Sequence, residues 1–236
     1  KRFHFNLLKW MNKMFKFRNI IINLLFISMI IGGDRIAIAT KVIGSVNFTR
    51  GDGSSKTLKK GHVFESGDIL TTEKGGFAAL VFIDDKSALK VKENSQLTIV
   101  GKRSARAIAK EIRMEKGTIR AQVSKQKKGE FIIRTSVSVA SVKGTDFWFI
   151  SDKNSGDSII GLEGVVELLN QFSGESLDIT SGLSGLSSAD GSIQSFKTDP
   201  KTIPEDPIRS AGDSKKLEIE FKDASGKIKI LIINYN

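Results

Sequence analysis

Apolar residues along this chain fall in short alternating runs broken by turn residues, and the clearest example is Phe131 to Ile150. Phe131, Ile132 and Ile133 open a strand. Val137 and Val139 then alternate with Ser136 and Ser138, the spacing of a half-buried strand. Val142-Lys143-Gly144-Thr145 interrupts the pattern, and Phe147-Trp148-Phe149-Ile150 resumes it. A glycine between two β runs marks a bulge, a bend or a close backbone approach. Lys143, beside it, is a candidate contact residue.

The same reading extends in both directions. Val42 to Thr49 is a strand, and Arg50-Gly51-Asp52-Gly53 is turn chemistry, although Arg-Gly-Asp invites an adhesive reading. Leu58 to Gly67 and Asp68 to Thr72 follow. Phe77 to Ile83 is a near-continuous apolar run suited to a strand buried on both faces. Asp84 to Ser87 turns the chain. Leu89 and Val91 alternate with Lys90 and Lys92, which predicts one wet face, and Leu97 to Val100 is the next strand. Lys102 to Arg113 alone has helical character: Ser104 is a cap candidate, and Ile108 and Ile112 are one turn apart. The stretch reads as a basic excursion of one or two helical turns, or as a solvated loop. Its anion-contacting alternative recruits Lys125, Lys127 and Lys128. Ile159 to Leu169 and Leu177 to Thr180 complete the strands before a Gly- and Ser-rich segment.

A weak internal echo runs through these strands. Gly44, Gly117 and Gly164 each stand two residues before a β-branched residue, in Gly44-Ser45-Val46, Gly117-Thr118-Ile119 and Gly164-Val165-Val166. The irregular spacing excludes a regular solenoid repeat and predicts recurring corners in one sheet architecture. The fold class is therefore all-β, a two-sheet sandwich or a short solenoid-like β domain with a C-terminal β-hairpin. Domains are predicted at 1–39, 40–196, 197–216 and 217–236. The third contains Pro200, Pro204 and Pro207 and has linker composition. In the fourth, Leu217, Ile219 and Phe221 pair across Asp223-Ala224-Ser225-Gly226 with Ile228, Ile230 and Ile232.

Residues 1–39 read as an address. Lys9, Lys13, Lys16 and Arg18 precede the apolar run Ile20 to Ile31, which is too short to span a bilayer but fits a signal-peptide core. Ala37-Ile38-Ala39 predicts cleavage before Thr40; the alternative is an uncleaved N-terminal anchor, with membrane association through residues 20–31. The localisation predicted is periplasmic, or inner-membrane anchored and facing the periplasm. Charge follows from this. The chain has 37 Lys/Arg and 26 Asp/Glu, a net +11. Residues 1–39 hold seven of those bases and one acid, so 40–236 carry 30 against 25, or +5. That removes the argument for a nucleic-acid partner. With no cysteine, the chain has neither disulfides nor a lipid-attachment cysteine.

With these blocks in place, the sequence resembles the FecR-like domain family from about Val42 to Ser195. Gly44-Ser45-Val46 resembles its opening. Gly61 followed by Gly67-Asp68-Ile69-Leu70-Thr71 resembles its glycine-aspartate block. Val142-Lys143-Gly144-Thr145 stands where Val-Arg-Gly-Thr is usual, and Glu163-Gly164-Val165-Val166 closes the set. Lysine at 143 keeps the charge and loses the forked hydrogen bond of arginine, and Asp85 stands where glycine is common. The resemblance implies an exported β domain with a binding role in the cell envelope. It does not by itself imply sigma-factor control.

Three function classes bear on this sequence. The first is a non-catalytic periplasmic binding or sensing module in signalling, acting through protein–protein contacts with an envelope protein. The second is a structural or adhesive envelope protein assembling through β edges. The third, an enzyme, has little to stand on: the chain has two histidines, of which only His62 follows residue 39, and no Gly-x-Ser-x-Gly elbow or phosphate-cradling loop. No catalytic residue, metal ligand or cofactor is predicted, and His62 is read as a surface strand residue. The motif residues singled out are Gly44, Gly67, Asp68, Gly117, Val142, Lys143, Gly144, Thr145 and Gly164.

Overall fold

A computed structural model describes residues 35–51, 53–103, 108–125, 131–152 and 154–206, together with two later strands, 215–222 and 228–235. The first seventeen strands, in chain order, are β1 (Arg35–Ile43), β2 (Val46–Thr49), β3 (Ser55–Thr57), β4 (Val63–Glu65), β5 (Asp68–Thr72) and β6 (Phe77–Phe82), then β7 (Ala88–Val91), β8 (Ser95–Arg103), β9 (Ile108–Gln122), β10 (Phe131–Arg134), β11 (Ser138–Val142) and β12 (Asp146–Asp152), and finally β13 (Gly156–Glu163), β14 (Val165–Asn170), β15 (Ser176–Thr180), β16 (Leu183–Ser187) and β17 (Ile193–Lys197). A 3-10 turn, Pro200–Thr202, follows. The hairpin is β18 (Lys215–Lys222) and β19 (Ile228–Tyr235), paired from Lys215↔Tyr235 to Lys222↔Ile228.

Two sheets share one strand. The first sheet runs β4-β1-β6-β7-β9-β12-β13-β16-β17. The second runs β3-β2-β5-β8-β9-β10-β11-β14-β15. β9 belongs to both. Its N-terminal half pairs with β8 and β10, and its C-terminal half with β7 and β12. The β9–β10 pair is parallel, and the other described pairs are antiparallel. All-β architecture with two layers is thus what the alternating pattern encodes.

The sheets close on a single core. Period-two alternation sends Phe147 and Phe149 inward from β12, against Phe82, Leu89, Phe131, Ile133 and Leu168. Phe82 of the first sheet meets Phe131 of the second edge to face, with ring centroids 5.3 Å apart. Such aromatic pairs add about 1 kcal/mol beyond their buried area. Phe77 to Phe82 is buried at five of six positions, as its unbroken apolar run predicts.

The recurring glycines sit where the chain changes sheet. Gly44 joins β1 to β2, Gly144 joins β11 to β12, Gly164 joins β13 to β14, and Gly117 lies within β9 where it crosses over. At Gly117, φ is +118° and an added β-carbon would lie 2.5 Å from the Ser95 Cα. Glycine is required there on both counts.

Three expectations change. Lys102 to Arg113 is not helical: β8 continues to Arg103 and β9 starts at Ile108, with 104–107 outside the described residues. A spacing of four is one helical turn but also two strand repeats, and Ile108, Lys110, Ile112 and Met114 are all buried. The boundary at Thr40 falls inside a strand. β1 starts at Arg35, with Ile36, Ala37 and Ala39 in the core, so the small residues that suit a peptidase here pack between layers. The predicted linker is partly ordered: residues 198–206 are docked on the first sheet, and only 207–214 lie outside the described residues.

Candidate functional site

The motif residues are structural corners rather than one assembled site. Asp68 is 1% exposed. Its carboxylate accepts from Arg50 Nε at 3.0 Å, Arg50 Nη2 at 2.9 Å and the Glu65 amide at 2.9 Å. Gly67, at φ +94°, makes the turn that brings Asp68 there. Arg50 also reaches Glu65 at 3.2 Å, so the arginine of Arg-Gly-Asp ties the fold together; Asp52 lies outside the described residues. His62 packs its ring 3.8 Å from that of Phe48 and is half-buried in a turn, not on a surface strand. Burial, and then the Arg50 charge, pull its pKa below the usual histidine value.

Val142 to Thr145 forms the corner between β11 and β12. Val142 is in the core, and Thr145 exchanges backbone hydrogen bonds with Val123 at 3.0 and 2.7 Å. Gly144 has φ +128°. The Gly164 corner abuts it: a β-carbon on Gly164 would meet the Gly144 carbonyl oxygen at 2.6 Å. Lys143 alone of the four motif residues is exposed. Gly144, Thr145 and Glu163 line a shallow groove of about 400 Å³ with Lys86, Gln122 and Lys125.

The basic stretch at β9 supplies an internal ion pair instead of an open anion patch. The Lys110 side chain is 1% exposed, and its Nζ donates to Asp84 and Asp85, each at 2.8 Å. The acidic turn is thereby occupied. Lys125 is exposed, and Lys127 and Lys128 lie outside the described residues.

A cleft of about 560 Å³ opens between the layers. It is lined by Arg113, Arg134, Thr135, Ser136, Asp152 and Asp157, among others. Asp157 is buried, hydrogen-bonded to Thr135, and its Oδ1 has no partner among the described residues. No group of three His, Cys, Asp or Glu side chains there or elsewhere in the described residues is placed to hold a metal ion.

The most organised charged surface lies on the outer face of the first sheet. Lys90, Arg120, Trp148, Ile160 and Ser184 stand in register on five adjacent strands. Residues 198–206 cross this row. Thr198 Oγ1 bonds Ser184 Oγ at 2.9 Å at one end. At the other end Asp206 pairs with Lys90 at 2.5 Å and Arg120 at 2.9 Å. Ile160 and Trp148, between those anchors, are 3% and 1% exposed and lie outside the interlayer core. Lys92 and Arg120 lie 5.8 and 5.9 Å from the Trp148 ring centroid, within cation–π range. Arg120 also donates two hydrogen bonds to the Asp146 carboxylate, at 2.8 and 2.7 Å, which raises its already high pKa. No local pattern points to this arrangement: Lys90 and Lys92 read as a wet face, and Asp206 as linker.

Two features define the class of protein: an all-β domain of two sheets sharing a strand, and a chain that switches sheet at glycine corners. Residues 68–167 match the family described as FecR protein. The match starts at β5 and ends in β14, and takes in the Gly117, Gly144 and Gly164 corners. It is narrower than the span of the resemblance, leaving Gly44 and Gly67 outside. Two crystal structures of a candidate anti-sigma factor from Parabacteroides distasonis ATCC 8503 are similar to the chain. One aligns at 15% identity over 67% of this chain and 70% of that one, with a TM-score of 0.48. The other aligns at 14% over 66% and 69%, also with 0.48. No curated protein matches the sequence.

Proposed function

We propose that this protein is a non-catalytic regulatory module, exported to the periplasmic side of the bacterial envelope, that senses or transmits a signal through contacts with another envelope protein. The observation that carries this reading is the FecR match over residues 68–167, since FecR is a regulatory kind of domain. The basic and apolar pattern before β1 supports export. Among the described residues no helix is long and apolar enough to cross a membrane; the apolar run 20–31 lies outside them.

The test is fractionation of cells producing the full chain, with in-cell crosslinking and mass analysis of the protein's N-terminus. Recovery outside the cytoplasm, crosslinked to a defined envelope protein, is the expected result. Recovery in the cytoplasm overturns the reading. A second reading, assembly through β edges, draws on β3, β4, β15 and β17, each paired on one side only among the described strands. Light scattering that shows mass growing with concentration favours assembly, and a constant mass favours the regulatory module.

A further inference from the structure

The row Lys90, Arg120, Trp148 is an unusual surface to build on a sheet. Lys90 and Arg120 are directly opposite one another on β7 and β9. Like charges so placed repel. Asp206 offsets that repulsion by bridging both, and Lys92 adds a bond to the Glu205 carbonyl oxygen at 3.3 Å. Arg120 is also held by Asp146 of its own sheet, so with the segment lifted Lys90, Lys92 and Arg120 outnumber that one carboxylate around an aromatic ring, a net positive face matched to an extended segment that carries a carboxylate.

The segment that fills it is held in a particular way. Residues 198–206 make no strand pairing with the sheet. Their backbone bonds are to the Gly182 carbonyl at Thr198 and within the turn at Asp199 to Thr202. The other hydrogen bonds of the segment to the sheet are side-chain contacts at its two ends; residues 199–202 are exposed, and Ile203 and Pro204 are half-buried. Segments with few ladder bonds and few buried contacts open at lower free energy than the strands beneath them.

We propose that the outer face of the first sheet is a docking surface for an extended acidic segment of a partner protein, and that residues 198–206 occupy it as an internal competitor. This rests on the reading that the protein works through protein contacts. Release of Asp206 opens the face; a partner carboxylate that bridges Lys90 and Arg120 takes its place. While the strap is seated, the partner's apparent affinity is reduced by the fraction of molecules that are open.

The full chain carries two tryptophans, so a Trp10→Phe background leaves Trp148 as the sole reporter. The probe is a synthetic peptide of residues 198–206, with a control peptide carrying asparagine in place of Asp206. In Asp206→Asn, acrylamide quenching of Trp148 is expected to rise, and the acidic peptide to bind at least about tenfold tighter than to the parent chain. The asparagine peptide is expected to bind weakly. Lys90→Gln, which loosens the strap from the sheet side, is expected to raise quenching but to lose peptide binding.

Unchanged quenching in both variants overturns the strap, and raised quenching without peptide binding overturns the docking surface. Crosslinking of the wild-type chain to its envelope partner is scored separately. A crosslink that persists undiminished in Lys90→Gln leaves the proposed function standing and places its contact elsewhere.

Discussion

Gly144 is confined by its own dihedral angle and by its neighbour. At φ +128° a β-carbon is strained, and it would come within 3.0 and 3.1 Å of the Lys125 Cγ and Cα. Gly144→Val is expected to lower stability by about 1 kcal/mol or more, read as a drop in melting temperature. Lys143→Ala, one residue away on an exposed side chain, is expected to change it by less than about 0.5 kcal/mol. The pair separates the corner's backbone demand from its charge. His62 gives a pH signature. Its folded-state pKa is depressed, mainly by burial, so the unfolded chain binds the proton more readily. Stability from this group is intact above the ordinary histidine pKa of about 6.5 and falls as pH drops below it. Replacing His62 with asparagine is expected to flatten that part of a melting temperature profile against pH. The glycines were legible in the sequence because a lone glycine between β runs leaves few alternatives. The partners of Asp68 and His62 were not, since Arg50 and Phe48 reach them across turns.

β9 shows why some elements resist reading from pattern. Its buried residues repeat every two positions, but one of them is Lys110, and a buried lysine breaks the apolar signal that would have identified a strand. Removing that lysine takes away the ammonium that bridges the Asp84 and Asp85 carboxylates. Lys110→Ala is expected to cost about 3 kcal/mol, the lower end for a broken buried pair because both carboxylates keep some solvent contact. Denaturant melts measure it, and an unchanged midpoint would mean that the acidic turn is held by backbone alone. β1 is hard to read from the sequence for a related reason. Alanines pack well between close layers and also suit a peptidase, so Ala37 and Ala39 carried two meanings. A chain beginning at Arg35 is expected to give a cooperative melt. One beginning at Thr40 lacks Ile36, Ala37 and Ala39 from the core and is expected to melt about 5–10 °C lower or not to fold, a loss of roughly 2–3 kcal/mol in a domain this size.

At the scale of the whole molecule, the class of fold followed from runs of Val, Ile and Phe separated by glycine-rich turns. The connectivity did not. Strand pairing across long sequence separations, such as β1 with β6 and β12 with β9, is set by core shape, which leaves no local mark. The same holds for the 198–206 strap, whose proline content reads as a spacer although its last residue carries two ion pairs.

The sharing of β9 between the sheets has a thermal consequence. Neither sheet has a complete set of partners without it: β8 and β10 need its first half, and β7 and β12 its second. Melting one layer therefore strips the other of a central neighbour, and the layers cannot come apart one after the other. Calorimetry of the 35–206 region is expected to give a single peak whose calorimetric and van't Hoff enthalpies agree. Two peaks would show that the Gly117 crossing acts as a hinge between separate melting units. On the single-peak outcome, a change anywhere along β9 is felt across both layers at once, and so across the Lys90–Arg120 face on one side and the interlayer cleft on the other.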